Sequence, residues 1–245
     1  MTRRRTGATA RRVLRQLRHD PRTVALLLAV PAVLMGLLAW MLRGRDHDFD
    51  QFGPPLLGIF PLVVMFLVTS VATLRERTSG TLERLLTMPL AKADFVGGYA
   101  VAFGLVAVVQ AAVVSGLSFG LYGLHVRGSA WLVVIVAVVD ALLGTALGLS
   151  LSALASTEFQ AVQFMPAFIL PQLLLCGLIV PRAQLPAALR IVSDLLPMSY
   201  AVGATQQLSV SSTVTSEFLV DIGVVALFVV AALLLGAATL RRRTP

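Results

Sequence analysis

The residues that could carry chemistry in this chain are few and lie far apart in the sequence. Asp140 is a carboxylate about ten residues into an apolar run, where an ionisable side chain is costly unless it faces protein or water. It could contact a passing substrate, couple a proton, or serve only as a hydrogen-bond partner. Gln110, Gln163 and Gln172 lie in apolar runs too, where they could line a path or join neighbouring helices. These four residues form the candidate substrate path.

No combination of residues predicts a catalytic or metal centre. The chain contains no G-x-x-x-x-G-K-[ST] phosphate loop, no H-E-x-x-H and no G-x-S-x-G. His19, His47 and His125 fall in separate loops, and the one cysteine, Cys176, excludes an intrachain disulfide. An intramembrane enzyme would need clustered Asp, His or Ser near one interface, and the sequence lacks such a cluster. We therefore expect no catalytic residue and no metal.

The composition predicts a membrane protein. Hydrophobic residues make up 57% of the 245 and charged residues 13%, against roughly 25% charged residues in a soluble domain. The net charge of +8 could indicate a nucleic-acid partner. However, the basic residues cluster at the chain ends and beside apolar runs, where lipid head groups and topology signals account for them. We therefore expect a lipid membrane as partner and no nucleic acid.

Six apolar segments are long enough to span a bilayer, which takes about 20 residues. They are expected at about 24–42, 53–74, 96–119, 131–155, 160–180 and 220–240 within a single domain, 1–245. If the N-terminus lies inside, most Arg and Lys residues fall in inner segments, which predicts both termini in the cytoplasm. The many Arg, Ala and Val residues suggest a bacterial source, hence the plasma membrane of a bacterium. Gly144 and Gly148 in the fourth span suit close helix packing.

Two further segments flank these spans. Apolar residues at helical spacing over Arg11–Asp20, with arginines between them, predict a helix within residues 1–22 that lies in the inner interface. The alternative is a basic topology signal without a helix. Asp20-Pro21 should end this helix. The outer segment 181–217 contains three prolines and a short amphipathic pattern, which predicts an amphipathic helix or a re-entrant pair before span six, with Ser209–Ser216 as an exposed loop.

A compact charged block, residues 75–92, separates the second and third apolar runs. Gly80 offers a break, and Pro89 ends the pattern that follows it. The residues between them have an apolar side and a polar side, which predicts a short amphipathic helix at the inner surface of the membrane. Such a helix could transmit a push into two spans at once. The alternative is an inert loop with an ordinary topology signal.

This block resembles a segment of the permease subunit of the type 2 ABC exporter (ABC-2) family. Residues 75–89 read Arg-Glu-Arg-Thr-Ser-Gly-Thr-Leu-Glu-Arg-Leu-Leu-Thr-Met-Pro, which is similar to the family's E-R-x-x-G-T-L-E-x-L-x-x-x-P segment. Residues 18–21 before the first span and 195–202 before the last agree with it more weakly. With the six-span plan, the resemblance covers nearly the whole chain and is greatest for small drug- and antibiotic-exporting members.

The resemblance implies an all-α integral membrane fold of six transmembrane helices. It includes an N-terminal interfacial helix, a cytoplasmic coupling helix between spans two and three, and an outer re-entrant element before span six. Two such permeases, expected to be identical, would pair with two separate ATP-binding subunits that hold ATP and Mg²⁺, so this chain would have no cofactor and would not be an enzyme. The expected cargo is a hydrophobic or amphipathic drug, antibiotic, lipid or glycan-lipid.

The resemblance also implies which residues connect the permease to the ATP-binding subunit. Glu76 and Glu83 would meet basic residues there, and Arg77 and Arg84 acidic ones. The expected set is Arg75, Glu76, Arg77, Gly80, Thr81, Leu82, Glu83, Arg84, Leu85 and Pro89.

The alternative function is a proton-coupled secondary transporter that uses Asp140. Many secondary transporters consist of two halves that repeat each other. No second half repeats the first in this sequence, which favours the exporter.

Overall fold

A computed structural model describes residues 3–78 and 92–239, and in these ranges the chain is helical and has no strand. Their ordered elements are α1 (Arg3–Arg18), α2 (Pro21–Met41), α3 (Asp46–Thr78), α4 (Lys92–Gly120), α5 (Ala130–Leu151), α6 (Glu158–Leu175), a 3₁₀-helix (Arg182–Gln184), α7 (Ala187–Asp194), α8 (Pro197–Val210) and α9 (Ser216–Thr239). The all-α fold class is therefore confirmed.

Five of the six predicted spans correspond to helices that are long and apolar enough to cross a membrane. Within the described ranges these are α2, α3, α4, α5 and α9. The segment predicted at 160–180 forms α6, which ends at Leu175, and Gly177 then adopts a left-handed φ of 92°. Helix α6 contains a glutamate, three glutamines and two prolines, is shorter than the other five, and is not among the helices that are long and apolar enough to cross a membrane. The six-span layout is thus only partly confirmed.

Helix α3 is the longest described element and organises the bundle. Its 33 residues correspond to about 50 Å, against about 30 Å for the hydrocarbon core of a bilayer. Acidic residues occupy its first turn and basic residues its last, a distribution that the helix dipole favours. Both ends of α3 can therefore extend beyond the apolar part of the bundle and carry polar contacts.

The most extensive helix packing joins α3 to α5, and glycines lie in this interface. A Cβ at Gly144 would collide with the backbone carbonyl of Leu62, and one at Gly148 would lie 2.6 Å from the backbone oxygen of Phe66. The two backbones approach so closely because these positions lack side chains. The predicted role of Gly144 and Gly148 in helix packing is confirmed.

Helix α1 forms within residues 1–22, as predicted, and it extends from the Arg11–Asp20 pattern back to Arg3. It ends before Asp20, whose side chain accepts a hydrogen bond from the backbone N–H of Thr23 at 3.2 Å and so caps α2. A hydrogen bond from the Thr23 hydroxyl, together with this backbone bond, lowers the pKa of the Asp20 carboxyl. The predicted break at Asp20-Pro21 is confirmed.

The segment between α6 and α9 consists of short helices, as its proline pattern predicts. The Ser193 hydroxyl at the end of α7 donates to the backbone oxygen of Leu175 at 2.8 Å, and the Tyr200 hydroxyl in α8 donates to that of Asp194 at 2.7 Å. These bonds fold α7 and α8 back onto α6. The exposed loop predicted at Ser209–Ser216 is shorter, because α8 continues to Val210.

Candidate functional site

Glu76, near the end of α3, forms a buried junction with α1. Arg12 Nη2 donates to both carboxylate oxygens of Glu76, at 3.0 and 2.9 Å, and Gln16 Nε2 donates to Oε1 at 3.0 Å. Arg12 and Gln16 are four residues apart, so they share one face of α1. We call Arg12, Gln16 and Glu76 the Glu76 junction. It holds the N-terminal helix against the last turns of α3.

A second set of contacts holds α1 against the beginning of α4. Ala10 and Val13 of α1 are buried in the same apolar cluster as Phe95 and Tyr99 of α4. The rings of these two aromatic residues are 4.5 Å apart. Gly98 permits the approach, because a Cβ there would lie 2.5 Å from Cβ of Thr9. Helix α1 therefore contacts both α3 and α4, the two helices that residues 79–91 connect in the sequence.

The residues on either side of Glu76 contact two other elements. Arg75 forms an exposed ion pair with Glu158 at the start of α6, with Nε–Oε1 and Nη2–Oε2 distances of 2.7 and 3.0 Å. The hydrogen bond from Arg75 lowers the pKa of the Glu158 carboxyl. Arg77 Nη1 donates to the backbone oxygen of Ser152, which follows α5.

These three consecutive residues thus reach three different parts of the fold, because neighbours on a helix point about 100° apart. The sequence predicts that all three meet another chain. Within this chain, the carboxylate of Glu76 is buried and bonded to α1, Arg75 pairs with the first residue of α6, and Arg77 bonds to the end of α5.

The remaining residues predicted to meet an ATP-binding subunit lie outside the described part of the chain. They are Gly80, Thr81, Leu82, Glu83, Arg84, Leu85 and Pro89. The structure does describe the two ends from which this segment departs, namely the last residues of α3 and the first of α4.

The four residues of the candidate substrate path do not come together. Gln110 is fully buried and donates to the backbone oxygen of Leu27 in α2 at 2.6 Å. Pro31 has no N–H with which to bond that carbonyl four residues earlier, so Gln110 supplies the missing donor. Gln110 therefore joins two helices, one of the two roles predicted for it.

The other three path residues have separate environments. Asp140 is buried against Gly58 of α3, and its Oδ1 has no hydrogen-bond partner within the described ranges. Gln172 donates to the backbone oxygen of Phe168 in its own helix at 3.2 Å. Gln163 is on an exposed face of α6. Within the described part of a single chain, the four residues therefore lie in separate environments.

Sequence reasoning missed the residues that complete the Glu76 junction. Arg12 was assigned to the polar face of an interfacial helix, although it pairs with a carboxylate 64 positions away. Such a pairing leaves no local signal. Sequence reasoning also missed Asp221 and Gln207, which lie in the wall of a cavity at the end of the bundle opposite the Glu76 junction. Glu217 and Asp221, one helical turn apart at the start of an apolar run, were the signal available for that site.

Comparisons with known proteins identify relatives over most of the chain. Residues 5–209 match the family described as ABC-2 type transporter. The chain is 31% identical over 155 residues to the probable multidrug ABC transporter permease YbhR of Escherichia coli, a match that covers 63% of this chain and 42% of that protein. It is 22% identical over 212 residues to the linearmycin resistance permease protein LnrN of Bacillus subtilis, covering 86% and 55%. The chain spans about half the length of the curated relatives it matches.

Proposed function

Because this chain belongs to the ABC-2 type transporter family, we propose that it is the membrane permease subunit of an ATP-driven exporter. Two copies, forming a homodimer, pair with two separate ATP-binding subunits that bind ATP and Mg²⁺. The permeases carry a hydrophobic or amphipathic drug, antibiotic, lipid or glycan-lipid out of the cell. The multidrug and linearmycin resistance permeases among the similar proteins support this substrate class.

The observation that carries the proposal is the arrangement around residues 79–91. The segment leaves α3 two residues after Glu76 and reaches α4 at Lys92, and α1 is bonded to α3 and packed on α4. A force applied to this segment by an ATP-binding subunit would act on three helices that are already joined. Closure of the ATP-binding subunits would thereby be converted into a common displacement of α1, α3 and α4.

The proposed location is the plasma membrane of a bacterium, with both termini and residues 79–91 on the cytoplasmic side. Five helices of spanning length support the membrane assignment. The orientation rests on the excess of Arg and Lys in the segments that this arrangement places inside.

The environment of Asp140 does not favour the alternative function, a proton-coupled secondary transporter. A proton relay needs a chain of ionisable or hydrogen-bonding groups that leads to water. Asp140 instead packs against a glycine of α3, and its Oδ1 has no hydrogen-bond partner among the residues described.

Reconstitution tests the proposal directly. The chain is placed in proteoliposomes with the ATP-binding subunit encoded beside it, and ATP-dependent transport is measured for fluorescent cationic, neutral and anionic amphiphiles. Transport that needs ATP and stops with an inactive ATP-binding subunit is the expected result. Transport that survives ATP depletion but collapses with the proton gradient would contradict the proposal.

The variant Glu83→Lys tests the coupling segment in the same system. It is expected to leave the complex in the membrane and to separate ATP hydrolysis from transport. Asp46→Lys is the matched control, because it makes the same charge reversal at an exposed carboxylate at the opposite end of α3. Unchanged transport by Glu83→Lys would argue against coupling through this residue.

A further inference from the structure

A cavity of about 1050 Å³ opens at the end of the bundle opposite α1. The beginnings of α3 and α9, the end of α8 and the loops before α5 and after α6 form its walls. Apolar side chains such as Phe52, Leu178 and Ile179 line part of it, and ionisable side chains line the rest. Ligand pockets for drug-sized molecules occupy about 300–1000 Å³ and combine apolar walls with a few polar groups, so this cavity could hold such a molecule.

Asp221 is the most deeply buried ionisable residue among those lining this cavity. Its side chain belongs to α9, and the residue is 7% exposed. Oδ2 accepts a hydrogen bond from Gln207 Nε2 at 3.2 Å. The Thr215 hydroxyl donates to Gln207 Oε1 at 2.7 Å, which turns the NH₂ group of that amide towards Asp221. The glutamine is therefore fixed as a donor to the carboxylate.

The second oxygen of Asp221 is available to a ligand. Oδ1 has no hydrogen-bond partner, and the carboxylate has no ion pair, among the residues that the structure describes. Gly203 packs against the other oxygen, because a Cβ at that position would lie 2.9 Å from Oδ2, so the absence of a side chain there lets Asp221 take this position in the cavity wall. A buried carboxylate without a positive partner is energetically costly, so the site favours the arrival of a cation.

The charges around Asp221 also favour a cation. Glu217 precedes it by one helical turn in the same wall. Arg182 on the rim pairs with Asp194 and lies 5.3 Å from the centre of the Tyr200 ring, and it forms no ion pair with Asp221. The lining contains three carboxylates, those of Asp50, Glu217 and Asp221, and besides Arg182 its one guanidinium is that of Arg127. An anionic ligand would be repelled.

We propose that Asp221, held by Gln207, binds the ammonium group of an amphiphilic cation in this cavity. The ammonium group donates to Oδ1 of Asp221, and the apolar part of the ligand lies against Phe52, Leu178 and Ile179. The inference rests on the proposed export function and deepens it, because it assigns the substrate class as amines with an apolar body.

The test uses monodansylcadaverine, a fluorescent primary amine, and its N-acetyl derivative, which keeps the apolar part but has no charge. Binding is measured on the full chain in phosphatidylcholine nanodiscs, with empty discs subtracted. We expect the amine to bind at least about tenfold more tightly than the acetylated form, as for a hydrogen bond to a charged group. Equal affinities on the unaltered protein would overturn the proposal without any variant.

Variants assign this preference to one residue. Asp221→Asn should abolish the preference for the amine while leaving the affinity of the acetylated probe unchanged, which reports an intact cavity. Asp221→Glu should retain it. Asp46→Asn, an exposed carboxylate outside the cavity, is the matched control and should behave like the unaltered protein. A preference that persists in Asp221→Asn would refute the assignment.

Two further experiments distinguish a lipid ligand from a soluble one, and failure of the binding-site proposal from failure of the exporter proposal. Adding phosphatidylethanolamine should weaken amine binding if a lipid ammonium group fills the site, and should not if a soluble amphiphile does. Binding needs no ATP-binding subunit, so an amine preference without ATP-driven transport would leave the site standing and reject the exporter. ATP-driven transport without a preference for the amine would support the exporter and reject the proposed binding site.

Discussion

Replacing Glu76 by glutamine is expected to loosen α1 from the bundle. The substitution keeps the shape of the side chain and removes its charge. Arg12 then loses the carboxylate that accepts two of its hydrogen bonds, and Gln16 loses a charged acceptor. The contacts of α1 with α4 remain in place, so the variant perturbs one side of the attachment only.

The structure sets the size of the effect. A hydrogen bond to a charged group contributes about 1.5–3 kcal/mol, and the side chain of Glu76 is 9% exposed. That of Arg12 is 33% exposed, so water can partly solvate it once the carboxylate has gone. We therefore expect a net cost of about 1–2 kcal/mol, which raises the population of undocked α1 by a factor of about 5–30.

Cysteine labelling measures this population. Ala10 is 5% exposed and faces the cluster that joins α1 to α4, so Ala10→Cys reacts with a maleimide only when α1 separates. Cys176 is replaced by alanine to remove the native thiol. When opening and closing are fast compared with labelling, the rate follows the open population. Glu76→Gln should raise the labelling rate by the same factor of about 5–30.

Glu158→Gln is the control for this experiment. It also removes a carboxylate that pairs with the last turns of α3, but its partner Arg75 does not contact α1 in the interactions described. An unchanged rate in Glu76→Gln, or an equal rise in Glu158→Gln, would refute the reasoning.

Three further predictions concern stability and are measured by thermal unfolding in detergent. Gln110→Leu should destabilise the protein by about 1–2 kcal/mol. The cost should be much smaller in a Pro31→Ala background, because the N–H of the new alanine can bond the Leu27 carbonyl. Equal costs in both backgrounds would contradict the role assigned to Gln110. Gly144→Ala should lower the stability of the protein by about 1–3 kcal/mol, because the added Cβ overpacks the contact between α3 and α5. Gly116→Ala is the control and should not destabilise the protein, because its Cβ would meet no described atom within 4 Å. Equal effects of the two variants would contradict the packing argument. The pKa of Glu158 in the folded protein lies below its ordinary value of 4.5, so its ion pair with Arg75 stabilises the folded protein at pH values above 4.5. This stabilisation, about 0–1 kcal/mol in total, is lost as the pH falls through the folded pKa. Glu158→Gln should remove this pH dependence.

The helical class, most spans and the N-terminal helix could be predicted because they depend on local patterns. An apolar run of spanning length forms a helix in a bilayer whatever surrounds it, since every backbone group must be satisfied within the segment. The fifth span was only partly predictable. Hydropathy alone extended it to residue 180, whereas the left-handed backbone at Gly177 ends helical structure before that point.

The candidate site was harder to predict because its contacts join distant residues. The sequence marks residues 75–77 as a charged group next to an apolar run, which is enough to single them out. It does not indicate that Glu76 turns inward to α1 while Arg75 and Arg77 turn to α6 and to the end of α5. The direction of each side chain follows from the packing of the helices around the end of α3.

The sequence by itself determined that this chain is a helical membrane protein, and its charged segment and length of apolar runs indicated the ABC-2 family. Those conclusions rest on hydropathy and motif spacing, which are properties of neighbouring residues. Only the tertiary structure decided that Glu76 is buried and bonded to α1, that Gln110 bonds the carbonyl for which Pro31 has no N–H, and that Asp221 faces a cavity. Each of these depends on a partner brought close by helix packing, and the cost of burying a polar group is set by that partner.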